Sequence, residues 1–255
     1  MNCPEIYVII ASVPKYKSGE VIVSDNKTLD KLIVFKDKKL TKEDVDFARS
    51  CLSDQEPLVR MEAVGLICSS SFFNEEDIER LLPLFDDDEM MVRTEVYDWL
   101  SSVANATITE KLKNAIYSDK DVIGCSYAVE TWTDAIVQNA PSNYSFNEET
   151  DFIKSIQNCD FILKSEYTRL ACEYALYSFK VKGALQNILS FLNSEDYHIQ
   201  CSVVNDLMRI VRKDDITEVN GVFSELLNKH PCKAVSSLIK DFLNQSVSEN
   251  SESVQ

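Results

Sequence analysis

Residues 79–100 read ERLLPLFDDDEMMVRTEVYDWL, from Glu79 to Leu100, and this stretch decides the architecture. An apolar helical segment (Leu81, Leu82, Leu84, Phe85) carries a late proline, Pro83. An acidic turn follows, Asp86-Asp87-Asp88-Glu89, and Val92-Arg93 opens a second amphipathic segment. Apolar residues recur at helical spacing on both sides of a carboxylate-rich turn, so the unit is a helical hairpin. The preceding segment repeats the arrangement: a helix near Lys42 to Leu52, the turn Ser53-Asp54-Gln55-Glu56-Pro57, then Leu58-Val59-Arg60-Met61-Glu62-Ala63-Val64. Val59 and Val92 are 33 residues apart, a period typical of stacked helical repeats.

This pattern closely resembles the HEAT repeat of the armadillo-like solenoids. Weaker echoes fall at Val122, at Thr168-Arg169, at Ile199 and around Cys232, at steps of 30, 46, 31 and 33 residues. The expectation is a mainly α chain: a right-handed α-α superhelix of about six HEAT-like hairpins over residues 40–244. Each hairpin alone leaves an apolar face uncovered, and stacking joins those faces into one core. The resemblance further implies that the Arg after the Val pairs with an Asp of a neighbouring turn. Arg60, Arg93, Asp54 and Asp87 are therefore first of all structural, and the turn aspartates also suit the positive start of the second helix.

The ends depart from the repeat. Glu5 to Val13, Glu20 to Asp25 and Lys31 to Phe35 are short runs rich in Val, Ile and Tyr, so residues 1–39 are expected to form a small β-rich element capping the first hairpin. Asn139 to Asn147, with Pro141, reads as an extended loop between the third and fourth hairpins. From Gln245 onward the Ser, Glu and Asn content predicts a disordered tail, residues 245–255.

Composition narrows the function. With 26 Lys plus Arg against 42 Asp plus Glu, the net charge is −16, which repels nucleic acid and favours encounter with basic partners. Such a charge also serves solubility. The eight cysteines form no CxxC pair, and several fall on apolar stripes, as expected of packed thiols in a reducing cytoplasm. The apolar run Ile6 to Ala11 lacks a basic leader and is too short to span a membrane. No membrane association is expected.

Signals for chemistry are weak. His198 and His230 are the only histidines, and neither lies in a paired nucleophile or metal pattern. No GxGxxG, P-loop, GxSxG or HExxH occurs, and Asp86-Asp87-Asp88-Glu89 lacks EF-hand spacing. No enzyme activity, cofactor or metal is implied. HEAT-like DNA glycosylases use aromatic side chains and a carboxylate, which Trp99, Trp132 and Asp134 resemble, but the charge opposes contact with a phosphate backbone.

Surface recognition remains, along a concave wall formed by the second helix of each hairpin. With Val59, Val92, Val122, Thr168 and Ile199 as first core positions, the wall presents Glu62, Glu95, Asp98, Glu130, Asp134, Glu173, Tyr177 and Asp206, flanked by Trp99 and Trp132. Seven of the first eight are acidic, and Glu95 with Asp98 and Glu130 with Asp134 share helical faces. The expected function is therefore non-enzymatic binding of a basic protein. In its most concrete form this is an immunity protein neutralising a bacterial toxin, an architectural resemblance only. The alternative is an adaptor recognising a peptide or helix, with charge serving solubility alone.

Overall fold

The computed structural model of the chain describes residues 26–252, with side chains through residue 245. Among these residues every regular element is helical and no strand occurs. The chain divides into two compact units, one of Gly19–Ala175 and one containing Leu176–Gln255.

The first unit holds α1 (Lys27–Lys36), α2 (Lys42–Ser50), α3 (Pro57–Ser69), α4 (Glu75–Leu81) with a 3-10 turn over Leu82–Asp86, α5 (Met90–Ser101), α6 (Ala106–Ser118), α7 (Val122–Asn139), α8 (Asn147–Ile156), α9 (Asp160–Leu163) and most of α10 (Glu166–Ser178). Helices α2 and α3 pair as a hairpin, as do α6 and α7, while α1, α3, α5 and α7 pack successively side by side. This packing is compatible with a helical solenoid. The second unit holds α11 (Ala184–Ser190) with a 3-10 turn over Phe191–Asn193, α12 (Tyr197–Ile210), α13 (Ile216–Asn228) and α14 (Lys233–Glu252). There α13 pairs with α14, and α12 lies beside α14.

Local chemistry sets these boundaries. Thr41 and Asp44 form a reciprocal capping box at the start of α2, and Asn74 with Asp77 does the same for α4. Pro57 opens α3, where its missing N–H removes no intrahelical bond. Between α7 and α8 lies the expected loop around Pro141. At the other end, α14 continues past Gln245 into the stretch whose composition suggests a tail.

Two expectations need correction. Lys31 to Phe35 is not a strand but part of α1, where Asn26 accepts hydrogen bonds from the backbone N–H of Thr28 and Leu29. Leu29, Leu32 and Phe35 recur at helical spacing and pack with Val45, Ala48, Val59, Ala63 and Ile67. The β-branched pair Ile33 and Val34, which suggests a strand, instead points outward, 47% and 62% exposed. The other two expected strands, Glu5 to Val13 and Glu20 to Asp25, lie outside the described residues.

Val122 is likewise not the first core position of its helix. It is exposed, and the place held by Val59 in α3 and Val92 in α5, the third helical residue, belongs in α7 to Gly124. Thr168 and Ile199 occupy it as expected, both buried, and Val235 occupies it in α14 instead of the region of Cys232.

Candidate functional site

The turns joining first to second helices are tied together by arginines. Arg60 Nε and Nη2 donate to the two carboxylate oxygens of Asp87 at 2.8 and 2.7 Å, and its Nη1 donates to the carbonyls of Asp54 and Gln55 in its own turn. One repeat later, Arg93 does the same: Nε and Nη2 donate to Asp119 at 2.9 and 2.7 Å, and Nη1 to the carbonyls of Asp87 and Asp88. Arg93 Nη2 also donates to Asp121 at 2.8 Å. Planar guanidinium meets planar carboxylate two-pronged, a match no lysine can make.

The turn aspartates serve a second purpose. Oδ1 of Asp54, Asp87 and Asp119 accepts the backbone N–H two residues on, so each shapes its turn and none directly caps the following helix. Burial alone pushes the Asp87 carboxyl up, but the Arg60 hydrogen bonds, the Glu89 N–H and the nearby Arg60 and Arg93 charges hold it below the ordinary carboxylate value. In α7 the place of Arg60 and Arg93 falls to Cys125, whose thiol bonds the Ile116 carbonyl, so the ladder stops there.

The outward face of α3 and α5 carries the acidic candidates. Glu62 and Glu95 hold equivalent positions, each sixth in its helix and each half-buried. The Lys36 ammonium, from α1, forms an ion pair with Glu62 Oε2 at 2.5 Å. Glu95 Oε1 accepts the indole N–H of half-buried Trp99 at 2.8 Å. The carboxylate lies over Gly65 of α3, where a Cβ would come within 2.9 Å of Oε1. Burial raises the affinity of Glu95 for a proton, the Trp99 bond lowers it, the Glu62 charge raises it again and Lys36 lowers it, with a net upward shift.

Asp98 and Glu130 occupy corresponding ninth positions of α5 and α7 and are half-buried. Asp134, one turn beyond Glu130, accepts the Tyr174 hydroxyl at 2.5 Å, and Glu173 of α10 accepts from Gln157 Nε2 at 2.9 Å. Several of these carboxylates thus have partners within the fold.

Three candidates have no free surface. Trp132 is 3% exposed and packs edge-on against Phe152 at 5.0 Å, so it is a core residue. Tyr177, in the second unit, is buried, donates its hydroxyl to Asp215 at 2.6 Å and lies beneath Arg212. Asp206 is buried in α12. The surface that the first unit presents therefore comprises Glu62, Glu95, Asp98, Trp99, Glu130 and Asp134, with Glu173 beside it.

Lys36, Gly65 and Tyr174 are the contributors that sequence reading passed over. Only Gly65 left a trace, a glycine inside a good helical pattern. His230 is exposed with φ 55°, and His198 stacks on Tyr197 at 3.9 Å. Among the described residues no group of three or more His, Cys, Asp and Glu is placed to hold a metal ion, and no helix is long and apolar enough to cross a membrane. No protein-family model and no curated protein matches the chain.

Proposed function

We propose that this chain is a HEAT-like solenoid that acts by binding rather than catalysis, with the outward face of α3, α5 and α7 receiving a basic protein. Glu62 and Glu95 carry the proposal: equivalent carboxylates of adjacent helices, half-buried side by side, with the Glu95 charge opposed by burial and by its neighbour. Carboxylates held in such an environment at a cost are a mark of surfaces selected for recognition. Asp98 and Glu130 extend the same sign along the face, and Trp99 supplies an aromatic anchor beside it. The HEAT-like assignment draws its support from the Arg60–Asp87 and Arg93–Asp119 ladder, the pairing that the repeat resemblance implies.

The most concrete role is that of an immunity protein masking a basic, nucleic-acid-cleaving toxin in the cytoplasm; a net charge of −16 suits steered capture of such a partner. The test is binding to a panel of basic toxin nuclease domains by the full chain and by an Asp98→Lys/Glu130→Lys variant. Association should slow several-fold between low and physiological salt, and the variant should lose binding while keeping its helical circular dichroism. Binding indifferent both to salt and to charge reversal would refute the acidic face and favour an adaptor using an apolar groove.

A further inference from the structure

We propose that Lys36, Glu62, Glu95 and Trp99 form a proton-sensitive clasp across α1, α3 and α5, in which one proton taken up by Glu95 tightens the packing of these three helices. The geometry supplies each part. Lys36 reaches from the last turn of α1 to Glu62 on α3, and Glu95 on α5 leans over Gly65 of α3, close enough that a Cβ there would displace its carboxylate. Trp99 holds the Glu95 carboxylate from one turn further along α5. The ammonium sits on Glu62, and Glu95 feels its charge only from a distance.

The groups around Glu95 can be named element by element. From α1 comes Lys36; from α3, Glu62 and the Cys68 thiol, which itself feels the Glu95 charge; from α5, Trp99, with Asp98 about one turn on. Helix α7, packed on the other flank of α5, carries Glu130 at the position corresponding to Asp98. Among the described residues Lys36 is the cation that acts on Glu95, and it is paired with Glu62, so Glu95 is the natural proton acceptor.

The sign follows from linkage. A carboxyl that binds its proton more tightly folded than unfolded adds stability as pH falls, and above its folded titration point the ionised form counts against the fold. The Glu62–Glu95 repulsion is present at neutral pH and vanishes on protonation. The device uses the face proposed to receive a basic partner, but it is tested on the chain alone, so its failure is distinguishable from a failure of partner binding.

Two measurements on the full chain test it. Thermal unfolding of the wild type and of Glu95→Gln, which keeps the acceptor for Trp99, is followed from pH 7.5 to 4.5. The variant should be more stable by about 2 °C or more at pH 7.5, with the gap closing toward pH 4.5. A gap that is absent, reversed or independent of pH overturns the proposal. Carbon-13 NMR of the Glu95 carboxyl gives the second reading and needs no unfolding. Its midpoint should lie above the ordinary glutamate value, fall in Glu62→Gln and rise in Lys36→Met. An ordinary midpoint, or one that neither neighbour moves, would equally sink the clasp.

Discussion

Replacing Arg93 with alanine is the sharpest perturbation of the stack. Its guanidinium makes five hydrogen bonds, reaching Asp119, Asp121 and the carbonyls of Asp87 and Asp88. At about 1.5–3 kcal/mol for each charge-assisted bond, a simple sum would exceed what whole buried ion pairs are worth, because the solvation surrendered by both charges offsets most of it. The relevant magnitude is that of leaving a buried carboxylate without its cation, about 3–5 kcal/mol. Asp119 meets that condition, with a side chain 0% exposed against 9% for Arg93. A loss of this size lowers the unfolding midpoint by roughly 6–20 °C for a chain of this length. Both tryptophans, Trp99 and Trp132, lie in the first unit, so intrinsic fluorescence during urea unfolding reports on it selectively. Arg93→Lys should recover little, since an ammonium cannot make the two-pronged contact, whereas Arg93→Met with Asp119→Asn should recover much of the loss. A loss below about 1 kcal/mol for Arg93→Ala would refute the ladder as a source of stability.

Two further outcomes follow from the same geometry. Gly124→Ala should destabilise the first unit in urea unfolding, although helix propensity alone favours alanine by about 1 kcal/mol, because the new methyl would overlap the Asp119 carboxylate that Arg93 and Tyr97 hold in place; a gain in stability would show that Asp119 moves aside freely. The Lys38 hydrogen bond, aided by Thr41, brings the Asp44 carboxyl down to about 2, so its contribution is present above the ordinary carboxylate value and lost as pH falls through about 2. Asp44→Asn should accordingly lower the unfolding midpoint at pH 7, with the difference shrinking as the pH approaches 2.

Legibility varied with how local each signal is. The hairpins around Arg60 and Arg93 were readable because amphipathic periodicity, turn chemistry and the repeat spacing agree there. At α7 the same reasoning slipped by two residues. Val122 is the first apolar residue and so the expected core position, but the fold uses Gly124 under a carboxylate from the preceding turn. Lys31 to Phe35 failed for a related reason. Its β-branched residues suggest a strand, yet the Asn26 cap and the Leu29, Leu32 and Phe35 stripe favour a helix once α3 is there to receive it.

For the candidate site, helical spacing located Glu62, Glu95, Asp98 and Glu130 on outward faces. It gave no warning that Trp132, Tyr177 and Asp206 are buried, because an angular position on one helix does not say how closely the next helix approaches. The sequence by itself determined the helical class and the acidic charge and set Arg60 and Arg93 just after acidic turns, since these depend on composition and short-range spacing; their pairing with the next turn was what the repeat resemblance implied. Tertiary structure alone decided which acids are matched by Lys36, Tyr174 or Gln157, and that Lys36 pairs with Glu62 while Glu95 takes the Trp99 indole. Those facts depend on distances between residues far apart in the chain, set by how the helices pack.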